Sequence, residues 1–265
     1  MTEPTSDRAE VPPYAHLVRA GNPGPMTLDG TNSWVLDTGD GVVVVDPGPL
    51  EEPHLAALAG RGPVRLVLLT HGHPDHAESV DRFHALTGAP VRAYDAGLCR
   101  DGGAPLADDE PVVLGELALR VLATPGHSGD SLSFLVDDER RPAVLTGDTV
   151  LGRGTTVVAH PDGRLADYLA SLGRLRALAA ERPGLVLLTG HGPVRTDAVD
   201  ALTFYVEHRA ERLAQVRAAV EAGAETAADV VRVVYADVDR ALWPAAELSV
   251  RAQLDYLRER GAEGP

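Results

Sequence analysis

Leu66-Val67-Leu68-Leu69-Thr70-His71-Gly72-His73-Pro74-Asp75-His76 is the stretch on which the reading of this chain turns. A short apolar run bounded by polar residues reads as a strand buried on both faces; a helix would need a longer one. Three imidazoles and one carboxylate follow within six positions. Neutral imidazole is the commonest side-chain metal ligand, and carboxylate oxygen complements it on zinc. A solvated polar loop would not need four ligand-type groups at the end of a buried strand, so the cluster points to bound metal.

The same design recurs along the chain. Val42–Val45 runs into Asp46-Pro47-Gly48, Ala143–Leu145 into Thr146-Gly147-Asp148, and Leu185–Leu188 into Thr189-Gly190-His191-Gly192. His127 stands in Thr124-Pro125-Gly126-His127-Ser128. Glycine beside or within two positions of each of these candidates lets the backbone turn tightly at a crowded site. His71 and His73, two apart, can share one side of an extended loop, and Asp75 and His76 fall where a helix begins. His71, His73, His76, His127 and His191 with Asp75 and Asp148 make five imidazoles and two carboxylates. One tetrahedral site takes three or four protein ligands, so two ions fit this set better than one.

Between the strands, Glu51–Ala59, Asp75–Leu86, Leu165–Ala180 and Asp197–Ala222 repeat apolar residues at helical spacing. Further strands are expected at Asn32–Leu36, Val91–Tyr94, Val112–Leu114, Ala118–Leu122 and Leu132–Val136. The result is a layered α/β (α+β) protein with mixed sheets. Leu66–Thr70 and Leu185–Thr189 match residue for residue, each delivering a histidine just past a strand end, as two related halves sharing one edge would do. After Ala198 the pattern is helical throughout, with Thr226 as an N-cap and Pro244 in a first turn. Three regions follow: a polar tail over residues 1–13, an α/β domain over 14–197, and a helical or winged-helix-like region over 198–265.

Composition narrows the function. The chain has 265 residues, 44% of them hydrophobic, enough for a full core. No apolar stretch approaches the length of a membrane span, and the N-terminus lacks an apolar leader, so no membrane partner is expected. The single Cys99 excludes an internal disulfide and fits a reducing, cytoplasmic compartment. A net charge of −15 disfavours non-specific attraction to nucleic acid, and residues 198–265 carry 12 acids against 8 arginines. His16, His54, His84, His160 and His208 have no ligand context, and Trp34 and Trp243 read as core anchors.

The ordered motifs from Asn22 to Arg195 resemble the metallo-β-lactamase superfamily. The resemblance implies a four-layer αββα sandwich with a dinuclear site along one sheet edge. His71, His73 and His127 would hold one ion, Asp75, His76 and His191 the other, and Asp148 would bridge them. Asp46 would orient a ligand imidazole. The ions would be two divalent cations, zinc first, with iron or manganese as alternatives. Asp148 stands where the commonest β-lactamases of the superfamily have cysteine, which points to its glyoxalase II-like and ribonuclease-like branches. A closer resemblance, to the β-lactamase-like protein 2 group, rests on Asn22-Pro23-Gly24-Pro25-Met26-Thr27-Leu28, Gly30-Thr31-Asn32, Gly154-Thr155-Thr156, Tyr168-x-x-Ser171-Leu172 and His208-Arg209-x-Glu211-Arg212. That group usually has small glycines where this chain has Ala77-Glu78-Ser79.

These likenesses set the functional expectation: a hydrolase using a metal-bridging hydroxide, with Asp75 orienting the nucleophile and accepting its proton. The substrate expected first is a small ester, thioester or lactone. Single-stranded RNA is the alternative, implied by the closer group. A non-hydrolytic iron redox enzyme or an inactive binding module is the third reading. Thr155, Thr156 and Glu78 are candidate residues of the substrate cleft.

Overall fold

A computed structural model describes residues 11–138 and 141–262. The first strand, β1 (Ala15–Arg19), is followed by β2 (Asn32–Asp37), β3 (Val42–Val45), α1 (Glu52–Ala59), β4 (Val64–Leu68), α2 (Pro74–Ala77), α3 (Val80–Thr87) and β5 (Val91–Arg92). The second half contains β6 (Pro111–Leu114), β7 (Leu117–Ala123), β8 (Leu132–Val136), β9 (Ala143–Gly147), α4 (Leu165–Ala180) and β10 (Val186–Thr189). Three helices close the chain: α5 (Ala198–Glu221), α6 (Ala227–Val234) and α7 (Trp243–Ala262).

Two five-stranded sheets run in the orders β1-β2-β3-β4-β5 and β10-β9-β8-β7-β6. Alternation along the strands distributes their side chains. Trp34, Leu36, Val43, Val45, Leu66 and Leu68 meet Leu119, Val121, Phe134, Leu145 and Leu188 between the sheets. On the outer face of the first sheet, Val35, Val44, Val67 and Leu69 pack on Leu55, Leu58 and Phe83 of α1 and α3. On the outer face of the second, Leu122, Leu135, Val144 and Leu187 pack on Leu172 and Leu175 of α4 and Leu202 and Tyr205 of α5. The layers are therefore αββα, as the resemblance implied. Val216, Ala219, Val230, Val231, Ala246 and Val250 form a separate small core where α5, α6 and α7 meet.

Each sheet contains a parallel pair that ends at the same edge: β3 beside β4, and β9 beside β10. The first strand of each pair runs into an aspartate, Asp46 or Asp148, and the second is followed closely by a histidine, His71 or His191. This places the ends of the duplicated Leu/Val runs together. The sheets are stitched there by Asn32, whose Nδ2 donates to the carbonyls of Thr189 (3.0 Å) and Gly192 (2.8 Å). Trp34, expected as a core anchor, is buried between the sheets and also donates Nε1 to the Thr189 carbonyl (3.1 Å).

Several elements depart from the sequence reading. The helix expected over Asp75–Leu86 is two helices, α2 and α3. Ser79 at the break gives both its backbone N–H (3.2 Å) and its hydroxyl (2.8 Å) to the Gly48 carbonyl, so the helical ladder is interrupted by a tertiary partner. β5 spans two residues rather than four. β1 has no counterpart among the expected strands. Residues 1–10 of the expected tail lie outside the described residues, while Val11 packs against the inter-sheet core.

Candidate metal centre

The edge shared by the two parallel pairs gathers all seven candidate ligands. His71, His73 and His127 place one nitrogen each within 4.8 Å of one another, and so do the ligand atoms of Asp75, His76 and His191. His71, His76 and Asp148 form a third such group. Within the first, His73 Nδ1 lies 3.0 Å from His71 Nε2 and 2.9 Å from His127 Nε2. Within the second, His76 Nε2 and His191 Nε2 are 3.2 Å apart, and Asp75 Oδ2 is 3.1 Å from His191 Nε2. Asp148 lies between the groups: Oδ1 is 3.4 Å from both His76 Nε2 and His191 Nε2, and Oδ2 is 3.8 Å from His127 Nε2.

Partners behind the rings set which nitrogen carries the proton. Asp46, at a positive φ of 55°, accepts the Thr70 N–H (2.7 Å) and the Thr70 hydroxyl (2.6 Å). The same carboxylate lies 2.9 Å from His76 Nδ1, which therefore donates to it. The Thr70 hydroxyl proton is thus committed, so His71 Nδ1, 3.0 Å away, donates to the Thr70 oxygen. His127 Nδ1 donates to the Val157 carbonyl (2.7 Å), and His191 Nδ1 faces the Gly30 carbonyl (3.3 Å). In all four rings the far nitrogen is a donor, and in the neutral ring the near nitrogen presents a lone pair to the cluster.

Lone pairs converging at about 3 Å repel one another unless a positive charge sits among them. Asp148 Oδ1 is buried with no hydrogen-bond partner. The arrangement therefore fits divalent cations held by nitrogen and oxygen donors. The electrostatics run the same way. Burial opposes charge on His76, but Asp148 and Asp46 outweigh it and hold its pKa well above the ordinary imidazole value. Burial also opposes charge on His191, where Asp148 and Asp75 push the pKa up to about 9. Asp148 is held well below the usual carboxylate range, with His191 and His76 overcoming the cost of burial. His71 and His127 lie below the ordinary value, chiefly through burial. Positive charge is thus favoured at His76 and His191, the two rings that face Asp148 Oδ1.

His73, Asp75 and Asp148 are the partly exposed members, Asp75 the more open carboxylate with 30% of its side chain accessible against 11% for Asp148, so the cluster opens to solvent on the His73 and Asp75 side. The three candidate cleft residues differ in exposure. Thr156 is 4% exposed and sits behind His127, its Oγ1 3.3 Å from Nδ1, so it supports a ring rather than lining an open cleft. Thr155 beside it is half-buried, and exposed Glu78 accepts the Leu50 N–H (3.1 Å), tying α2 to the β3–α1 connection.

Sequence reasoning passed over Thr70, Asp130 and the carbonyls of Val157 and Gly30. Asp130 accepts from Gly72 N (2.8 Å) and from the Ser128 hydroxyl (2.7 Å), joining the loops that carry His73 and His127. Its position three residues after His127 was the one available signal.

The Metallo-beta-lactamase superfamily matches residues 26–191, and the Beta-lactamase associated winged helix domain matches residues 226–262. A "Beta-lactamase-like protein 2 homolog" from Caenorhabditis elegans is 33% identical over 253 residues, covering 91% of this chain and 82% of its own. An "Atrochrysone carboxyl ACP thioesterase" from Aspergillus fumigatus is 31% identical over 245 residues, covering 84% of this chain and 74% of its own. The crystal structure of a metallo-beta-lactamase family protein from Thermus thermophilus superposes with a TM-score of 0.77 at 25% identity, covering 94% of this chain and 95% of that one. Fold, ordered motifs and extended similarity agree: the chain belongs to the metallo-beta-lactamase superfamily.

Proposed function

We propose that this protein is a dinuclear metal-dependent hydrolase of small esters, thioesters or lactones. The observation that carries the reading is the convergence of seven nitrogen and oxygen donors, four of them imidazoles whose far nitrogens are committed as donors. His71, His73 and His127 would hold one cation, Asp75, His76 and His191 the second, with Asp148 shared. Imidazole and carboxylate donors suit zinc, with iron or manganese as the alternatives. When bound, such ions supply Lewis-acid polarisation of the scissile group and lower the pKa of water.

The chain's own residues supply the rest. Asp75 keeps its carboxylate form: His191 and His76 overcome the burial that would raise its pKa. Partly exposed at the open side, Asp75 would orient an attacking water and take its proton at a carboxylate oxygen. Asp46, through Thr70 and His76, fixes two rings so that none need reorient during turnover. The thioesterase name of one relative supports the acyl branch, and the net charge of −15 works against phosphodiester substrates.

The test is hydrolysis of generic thioesters and esters beside labelled single-stranded RNA, each with and without chelator, with metal content by elemental analysis. Chelator-sensitive acyl hydrolysis with about two zinc ions per chain is the expected result. D75N and D148N should each reduce turnover by more than about 100-fold while the fold persists. RNA cleavage without acyl hydrolysis would move the assignment to the ribonuclease branch, and full activity in a metal-free preparation would end it.

A further inference from the structure

Arg209 stands on the stripe of α5 that otherwise carries apolar residues, including Leu202, Val216 and Ala219, and it is only 5% exposed. A buried guanidinium is costly unless its donors are used. Its Nη2 donates to the carbonyl of Thr156, and its charge lies over the Tyr168 ring, 5.1 Å from the centroid. The Nε is buried without a hydrogen-bond partner. Arg209 falls outside both matched regions, in the helix that joins them.

The segment it grips is the one behind His127. The Thr156 carbonyl accepts from Arg209, and its Oγ1 lies 3.3 Å from the Nδ1–H of His127. Val157 gives its carbonyl to His127 Nδ1 at 2.7 Å. Val158 gives its N–H to the Ser249 hydroxyl of α7 at 3.3 Å. Three successive residues outside any helix or strand are thus pinned by α5, by the ring itself and by α7. The acceptor that fixes the proton and direction of His127 is held in place by the C-terminal helices.

We propose that Arg209 is a positioning residue for the metal centre, acting through Thr156 and Val157 on His127, with Ser249 as its weaker counterpart on α7. The C-terminal helices then set the affinity of the ion held by His71, His73 and His127. This inference rests on the metal-centre reading above.

The test uses the full chain, with zinc affinity measured by competition with a chromophoric chelator and ligand geometry by the visible spectrum of the cobalt-substituted protein. In R209M, one of the two zinc ions should bind about 10- to 100-fold more weakly, the range found when an outer partner of a ligand is lost. Its cobalt spectrum should shift. R209K keeps one donor for the Thr156 carbonyl and should recover part of the loss. R182M removes an arginine paired with Asp137 at the far end of α4, and should lower thermal stability with wild-type zinc affinity. R209M that binds both zinc ions as tightly as wild type, with an unchanged cobalt spectrum, overturns the proposal. If R209M does not fold, S249A decides: several-fold weaker binding of one ion supports it, and unchanged binding with an unchanged spectrum overturns it. Wild-type protein that takes up no zinc would instead bring down the metal-centre reading itself.

Discussion

Asp46 makes three hydrogen bonds with one carboxylate, to the Thr70 N–H, the Thr70 hydroxyl and His76 Nδ1. All three partners are donors, so asparagine cannot replace it without placing an N–H against another N–H. D46N should therefore flip His76 to its other tautomer, with the proton on the nitrogen that faces the cluster. The expected outcome is about 10- to 100-fold weaker zinc binding, read by chelator competition. His54 gives a separate test. It is buried, its Nε2 is 2.9 Å from Ser33 Oγ, and burial holds its pKa below the ordinary imidazole value. The folded state therefore resists protonating it more than the unfolded chain does. That contribution is complete above about pH 6.5 and is lost as pH falls toward the lowered value. Denaturant titrations across pH should show wild type losing stability relative to H54Q on acidification; a constant difference would refute it. At this scale the sequence displayed the ligand set well, because the candidates cluster after strand ends and His71, His73, His127, Asp148 and His191 each have glycine beside them. It hid Thr70, Asp130 and Arg209, whose roles come from partners 24, 58 and 53 positions away.

Among the elements, the β7–β8 connection shows how closely a helix can govern a ligand loop. Gly126 has a φ of +135°, and a Cβ there would lie 2.3 Å from the Tyr168 Cα. G126A should push α4 away from the turn that carries His127, costing about 1–3 kcal/mol from overpacking, with further strain from the backbone angle. Thermal unfolding measures this, and an unchanged Tm would show that the contact is dispensable. Strands in runs such as Val42–Val45 and helices such as α4 were legible because their periods are local properties. The division between α2 and α3 was not, since its cause is the Gly48 carbonyl, 31 residues upstream of Ser79. β1 was equally hidden: its exposure along Ala15–Arg19 does not alternate, and only pairing with β2 defines it.

For the whole molecule, the layer order followed from buried strands alternating with amphipathic helices, whereas the attachment of the C-terminal helices to the ligand loop depends on folded contacts. Among the described residues, no helix is long and apolar enough to cross a membrane. Free zinc at about 100 times its dissociation constant should add about 2.7 kcal/mol to unfolding, and chelator should reverse the rise in Tm. The donors come from both sides of the sandwich: His71, His73, Asp75 and His76 follow β4, while His127, Asp148 and His191 follow strands of the other sheet. Ions gripped there would act as a clasp across the seam. Stripping them should let the rim breathe, so that amide exchange accelerates around Asp46, His71, Asp148 and His191 while the middles of the strands keep their protection.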